Sequence, residues 1–67
     1  DISKPKRIEE IIKGTVGKIT KTELIHKCPD ISQTTIQRTL NDLWKQGFII
    51  KHGGGRYTAY SWNREND

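Results

Sequence analysis

The chain has little of what secreted or membrane-spanning proteins depend on. Its 67 residues contain one cysteine, no methionine and two prolines. Because one cysteine cannot form a disulfide within the chain, an intracellular, cytoplasmic setting is favoured over a secreted one. No apolar run approaches the roughly 20 residues that a membrane-spanning helix needs, and no signal-peptide pattern is present. The absence of methionine, even at the first position, predicts that the sequence is a piece of a longer protein.

Hydrophobic residues are also scarce, at 31% of the sequence. A chain this short buries only about 60% of the surface that its unfolded form exposes, so the core must be thin. A thin core cannot also enclose a deep, dry catalytic cleft, and no enzymatic activity is expected. Two tryptophans, two tyrosines and one phenylalanine supply the bulky anchors. We expect one marginally stable domain over residues 1–62 and a frayed polar tail over residues 63–67.

Residues that ligate metals or act as nucleophiles are few and scattered. His26, Cys28 and His52 are the soft ligands, and no second cysteine pair stands at zinc-finger spacing. Cys28 precedes a proline on an apolar helix face, which predicts a buried, unreactive thiol, and both histidines are expected at the surface. Glu9 and Glu10 point in different directions on one helix, so they do not form an acid–base pair. We therefore expect no metal and no cofactor.

The first two predicted helices are short. Ile8, Ile11 and Ile12 recur at helical intervals after a proline suited to a first turn, which predicts a helix from Lys6 to Lys13. A capping box, formed by a threonine and a glutamate three residues later, precedes a second helix over residues 21–27. The proline at position 29 cannot continue that helix, so residues 28–31 are expected to form a turn.

The third predicted helix covers residues 33–46. Ser32 caps its start, and Gly47 ends it by adopting a left-handed conformation. Its apolar positions share one face and are expected to pack inward: Ile36, Leu40, Leu43 and Trp44.

Two β-rich runs follow, Phe48 to His52 and Tyr57 to Trp62, and the glycines at 53–55 permit a hairpin between them. Lys18 to Thr20 is a brief extended piece that can add an edge strand. Thr58, Tyr60 and Trp62 are expected to share one face of the sheet, with Trp62 packed inward. The predicted core consists of Ile8, Ile11, Ile12, Ile19, Leu24, Ile25, Ile36, Leu40, Leu43, Phe48, Ile50 and Tyr60.

The charge of the chain is unevenly distributed. The net charge is +4 and the isoelectric point about 9.5. Residues 32–62 carry four basic residues and one acidic residue, whereas residues 63–67 are slightly acidic. This mild excess fits a nucleic-acid module that touches few phosphates, and it also fits an ordinary solvated surface.

The outward face of the third helix carries groups that can read DNA. Arg38 can bind guanine O6 and N7 through two hydrogen bonds, or grip a phosphate. Gln37 and Asn41 can pair with an adenine edge, and the hydroxyls of Ser32 and Thr34 can donate to a phosphate. An ordinary solvated helix face is the alternative explanation, because exposed helix surfaces are polar in any case.

The glycine loop between the two strands has cations beside it. Lys51, His52 and Arg56 surround three glycines, which let a backbone approach a phosphate closely. A simple flexible hairpin tip would need the same glycines. The loop joins two strands, so it does not match the nucleotide-cradling loops that run from a strand into a helix.

The order of elements, together with S-x-x-T…R…L…L…G-F-I…GGGR…Y, resembles the winged helix-turn-helix superfamily over residues 18–62. Residues 30–62 are closer still to the winged module at the C-terminal end of many Fic-family proteins. The matching residues are Ser32, Thr35, Arg38, Leu40, Leu43, Gly47, Gly53, Gly54, Gly55, Arg56 and Tyr60. Such modules often have Arg-Asp where this chain has Arg38-Thr39. The histidine and phosphate-gripping glycine loop of Fic catalysis are missing, so the resemblance implies an accessory domain without transferase activity.

We therefore expect an α+β winged helix-turn-helix, with its elements in the order helix, strand, helix, helix, strand, wing, strand. We expect it to bind double-stranded DNA and to be a transcription-regulator-like domain of a larger, bacterial protein. The recognition helix over residues 33–46 would enter the major groove, and the wing over residues 51–57 would lie on the backbone. The expected DNA-binding residues are Ser32, Thr34, Gln37, Arg38, Asn41, Lys45, Lys51, His52 and Arg56. The alternative is a protein-interaction domain of a Fic-type AMP-transferase, docking onto its parent chain or a second copy.

Overall fold

The computed structural model describes residues 3–54 and 58–66. Its elements, in chain order, are α1 (Lys4–Gly14), β1 (Ile19–Thr20), α2 (Lys21–Lys27), α3 (Gln33–Lys45), β2 (Ile49–His52), β3 (Ala59–Trp62) and a 3-10 turn (Arg64–Asn66). Three helices and a small antiparallel sheet make an α+β domain, which confirms the predicted fold class and is consistent with a winged-helix arrangement.

The helix boundaries follow from capping chemistry. The Ser3 hydroxyl accepts from the Lys6 amide at 3.3 Å, so α1 begins two residues earlier than expected. The capping box is confirmed, because Thr20 and Glu23 each accept from the other's backbone amide, at 3.2 and 3.3 Å. The Ser32 hydroxyl accepts from the Thr35 amide at 3.2 Å and starts α3 as predicted. Each cap satisfies an amide that the helix itself leaves unpaired.

The sheet has the strand order β1-β3-β2, and both pairings are antiparallel. Tyr60 stands opposite Ile19 on one side and opposite Lys51 on the other, while Trp62 stands opposite Ile49. The short β1 is the edge strand that the sequence predicts. Gly53, just after β2, has φ +74°, the left-handed conformation expected at the start of the hairpin loop.

One cluster of buried side chains joins the helices to one face of the sheet. Tyr60 and Trp62 close it from β3, and Phe48 stacks on Trp62 with ring centroids 5.9 Å apart. Cys28 is buried, as predicted. Thr39, buried on α3, donates its hydroxyl to the Thr35 carbonyl at 2.8 Å. The buried hydrophobic residues are Ile8, Ile12, Ile19, Leu24, Cys28, Ile31, Ile36, Leu40, Leu43, Ile49, Tyr60 and Trp62, with Ile11, Ile25 and Phe48 partly buried against them.

The structure corrects several expectations about burial. Ile50 is 42% exposed, and Ile49 takes the core position predicted for Ile50. The register places Ile49 opposite the buried Trp62, so alternation along β2 points Ile50 away from the helices. Trp44 is 49% exposed and does not pack inward with the apolar stripe of α3. His52 is half-buried, because it lies on the sheet and hydrogen-bonds to Ser61.

The described part of the segment after β3 makes hydrogen bonds to the rest of the domain. The Asn63 amide donates to the Phe48 carbonyl at 2.8 Å, and its side chain donates to the Gly47 carbonyl at 3.0 Å. Arg64 donates to the Lys13 carbonyl at 3.1 Å. These bonds extend the β2–β3 pairing and tie the 3-10 turn to α1.

Candidate nucleic-acid interface

The outward face of α3 is open to solvent. Ile36, Leu40 and Leu43 fix the opposite face in the core, so the helix cannot rotate without exposing apolar surface. The residues that the sequence assigns to DNA on this helix are therefore placed together. Thr34, Arg38, Asn41 and Lys45 are exposed, and Gln37 is half-buried at the border of the face.

A shallow groove of about 550 Å³ runs along this face; we call it the α3 groove. It is lined by Lys21, Gln33, Thr34, Gln37, Arg38, Asn41, Asp42 and Lys45. Five of these residues are those predicted from the sequence for this helix, and Lys21 comes from the first position of α2. Two helices thus form one concave surface, with α3 as its floor.

Within residues 3–54 and 58–66, the cations of the α3 groove have no ion-pair partner. Lys21, Arg38 and Lys45 form no ion pair with any described carboxylate, and the one acidic residue in the groove, Asp42, is also unpaired within 3–54 and 58–66. Three cations against one carboxylate leave the groove positive. Such a surface attracts a polyanion without first breaking internal salt bridges.

Two cations of α1, by contrast, are paired with carboxylates. On α1, Lys6 pairs with Glu9 at 2.7 Å and with Glu10 at 3.6 Å, and the hydrogen bond and charge of Glu9 raise the pKa of Lys6. Arg7 pairs with Asp30 in the turn between α2 and α3. The hydrogen bond from Arg7 lowers the pKa of the Asp30 carboxyl. These two cations are neutralised locally, whereas the three that line the α3 groove have no such partner among the described residues.

Two predicted polar contacts are partly engaged within the chain. Gln37 Nε2 donates to Asn41 Oδ1 at 3.1 Å, so the two amides form a linked pair on the groove floor. The Ser32 hydroxyl donates to the Thr35 hydroxyl at 2.9 Å while it caps α3. Both sets of groups are exposed or at the groove surface, where a ligand can replace these bonds at little cost.

The described part of the wing begins beside the end of α3. Lys51 is exposed, and its ammonium lies 5.3 Å from the centre of the Trp44 ring. His52 Nε2 lies 2.7 Å from Ser61 Oγ and so faces the outer side of the sheet. Arg56, together with residues 55 and 57 of the predicted wing, lies outside the described residues. The structure places His52, a predicted DNA-binding residue, in a hydrogen bond on the outer side of the sheet.

Sequence reasoning missed two charged residues of the α3 groove. Lys21 is assigned only to the start of α2, yet the turn at residues 28–31 brings that start beside α3. No local pattern signals this position, because it depends on how α2 packs against α3. Asp42 stands one residue after Asn41 and four after Arg38, so helical spacing already places it at the border of this face.

A second depression, the α1–α3 cleft, has a volume of about 400 Å³ and lies on the other side of α3. It is lined by Pro5, Lys6, Glu9, Thr35, Arg38, Thr39, Asp42, Leu43 and Gln46. Arg38 and Asp42 line both depressions and therefore form the ridge between them. Acidic and basic groups are balanced in this cleft, unlike in the α3 groove.

Among residues 3–54 and 58–66, no three or more histidine, cysteine or acidic side chains stand close enough to hold a metal ion. None of the helices in this part of the chain has the length and apolar character needed to cross a membrane.

A scan against protein-family models and searches of curated proteins and of solved structures found no match for this chain.

Proposed function

We propose that this chain is a double-stranded DNA-binding module. In this proposal α3 enters the major groove, α2 lies across the backbone, and the hairpin after β2 touches neighbouring phosphates. The observation that carries the proposal is the charge of the α3 groove, where Lys21, Arg38 and Lys45 have no ion-pair partner in the described part of the chain. DNA supplies the anions that would neutralise them, with release of bound counterions.

The proposed roles follow from the positions of the side chains. Arg38, on the ridge of α3, binds a guanine edge or a phosphate, and the Gln37–Asn41 pair faces base edges. Phosphate contacts are assigned to groups at the rim: Ser32, Thr34, Lys21, Lys45, Lys51 and, beyond the described residues, Arg56. His52 contributes only if duplex binding releases it from Ser61.

A binding titration tests this proposal. A labelled mixed-sequence duplex, followed by fluorescence anisotropy, should bind at low salt and bind more weakly as salt is raised. Arg38→Gln should weaken binding by about 1–3 kcal/mol if Arg38 holds a guanine bidentately. Lys4→Gln is the matched control, because it removes the same charge from an exposed α1 position outside the α3 groove. Equal effects of the two substitutions, or no binding at low salt, would overturn the proposal.

A protein-interaction domain of a Fic-type AMP-transferase is the second candidate. The exposure of Ile50 on the outer face of the sheet favours it, because an apolar side chain there is free to pack against another protein surface. The charge-balanced α1–α3 cleft points the same way. This candidate predicts that duplex DNA leaves the NMR spectrum of the domain unchanged. It also predicts that Ile50 is buried when the domain is attached to the catalytic part of its parent protein.

A DNA-binding module also implies a setting and a context. We infer that the protein acts in the cytoplasm of a bacterial cell, where chromosomal DNA is accessible and Cys28 remains reduced. In this proposal the module serves as the regulatory part of a larger protein. Expression of a reporter placed beside a selected binding site would test a role in transcription.

A further inference from the structure

Trp44 occupies an unusual position at the end of α3. It is a large aromatic residue, 49% exposed, on the border between the core face and the α3 groove. Two turns earlier on the same side of the helix stands Gln37, a residue of the groove floor. The Trp44 side chain is therefore not needed to fill the core, whose tryptophan is Trp62 at 6% exposure.

A cation from another element lies against this ring. The Lys51 ammonium, on β2, is 5.3 Å from the centre of the Trp44 ring, within the range of a cation–π attraction. Lys51 stands two residues before Gly53, the residue that turns the chain into the hairpin loop. The contact therefore joins the end of the proposed recognition helix to the base of the proposed wing.

We propose that Trp44 is a positioning residue for DNA binding: it holds the Lys51 ammonium at the wing-side rim of the α3 groove, where that ammonium binds one backbone phosphate. This inference rests on the proposed function. A lysine side chain normally samples many rotamers, and ordering it on binding costs free energy. A ring beneath the ammonium reduces the rotamers to be lost, while the outer side of the ammonium still faces the phosphate.

Three substitutions separate this role from a structural one. Trp44→Phe keeps an aromatic ring, Trp44→Leu keeps apolar bulk without a ring, and Lys51→Met removes the ammonium. In the free protein, ring currents should shift the Lys51 side-chain proton resonances upfield, and Trp44→Leu but not Trp44→Phe should abolish that shift. Absence of the shift in the wild-type protein would overturn the inference without reference to DNA.

Duplex titration over a range of salt then measures the effect on binding. Lys51→Met should reduce the slope of log K against log salt by about 0.9, the loss of one phosphate contact. Trp44→Leu should weaken binding about two- to fivefold, Trp44→Phe less. In the Lys51→Met background, Trp44→Leu should have no further effect. A positioning role is contradicted if Trp44→Leu lowers the duplex affinity equally in the wild-type and Lys51→Met backgrounds, or in neither. If the wild-type protein binds no duplex, the proposed function is overturned and this inference with it.

Discussion

Gly47 adopts a left-handed conformation, with φ +82°, at the point where α3 gives way to β2. Two backbone hydrogen bonds close the helix around it: the Gly47 amide donates to the Trp44 carbonyl at 3.1 Å, and the Phe48 amide donates to the Leu43 carbonyl at 2.9 Å. This pair of bonds is a Schellman motif, and the aromatic ring that follows it packs against the core. The direction in which β2 leaves the helix depends on this one residue.

Replacing Gly47 by alanine should destabilise the domain by about 1 kcal/mol, because a Cβ atom is disfavoured at positive φ. Gly14→Ala is the matched control, since Gly14 ends α1 without a positive φ and has no atom within 4 Å of an added Cβ. Urea unfolding followed by circular dichroism measures both variants. If the Gly47 variant were as stable as the Gly14 variant, the left-handed conformation at position 47 would impose no strain on alanine.

The pairing of Arg7 with Asp30 makes a contribution to stability that depends on pH. The lowered pKa of Asp30 means that the folded state favours the carboxylate. Its contribution is fully present above the ordinary aspartate pKa of about 3.9 and is lost as pH falls through the lowered value. Asp30→Asn should therefore lower the melting temperature at neutral pH and leave it unchanged at a pH below both values.

The control for this prediction is the same substitution in an Arg7→Gln background. Without the guanidinium, Asp30→Asn should have little effect on the melting temperature at either pH. A difference between aspartate and asparagine that persists at low pH, or that survives the loss of Arg7, would assign the effect to something other than this pair.

At the scale of the elements, the register of β2 decides which of two neighbouring isoleucines is buried. Ile49 stands opposite Trp62 on the helix side and is 2% exposed, whereas Ile50 stands opposite Ser61 on the outer side and is 42% exposed. The period of two along a strand makes these environments mutually exclusive. A slip of one residue would exchange them.

The two isoleucines therefore form a matched pair for mutation. Ile49→Val should destabilise the domain by about 1 kcal/mol through the loss of a buried methylene group, and Ile50→Val by much less. Both variants keep a β-branched side chain, so strand propensity is nearly constant. Chemical denaturation compares them directly, and a larger loss at Ile50 would mean that the register in solution differs from the one described.

The starts of α2 and α3 and the end of α3 were predictable from the sequence because local chemistry fixes them. The capping pair Thr20–Glu23, the cap at Ser32 and the closure at Gly47 each involve residues within five positions of one another. The groove face of α3 was predictable for a similar reason, since 3.6-residue periodicity places its polar groups together. The predicted fold class followed from the order of these elements.

The misassigned residues all depend on contacts distant in sequence or on a border position. Trp44 lies about 40° from Leu40 and about 20° from Gln37 around the helix axis, so periodicity alone could not decide its face. At the surface the Trp44 ring is contacted by the Lys51 ammonium, which lies 5.3 Å from the ring centre. Lys21 reached the α3 groove only because the turn after α2 folds one helix against the other, a result that local patterns do not encode.

At the scale of the whole molecule, the thin core and the cations of the α3 groove together predict how a ligand affects stability. The fully buried side chains among the described residues are one cysteine and six aliphatic residues, so stability is modest and a bound ligand should raise it noticeably. Three cations without an ion-pair partner among the described residues line the α3 groove. The ligand that raises stability should therefore be an anionic one.

Saturating duplex DNA should therefore raise the melting temperature. A free duplex concentration about 100 times the Kd adds about 2.7 kcal/mol, which for a domain of this size corresponds to a rise of roughly 10 °C or more. Differential scanning calorimetry at increasing duplex concentration measures this rise. Arg38→Gln should show a smaller rise at the same concentration, while Lys4→Gln should match the wild-type protein. No rise at a concentration that saturates the anisotropy signal would contradict a single folded binding state.

The unequal exposure of the two tryptophans gives the chain two built-in optical probes. Trp62 is 6% exposed, stacked with Phe48, and its emission should respond to unfolding. Trp44 is 49% exposed, so a collisional quencher such as iodide should reach it first. Tryptophan fluorescence with and without iodide can thus follow ligand binding at the end of α3 and unfolding of the core in one sample, without a covalent dye.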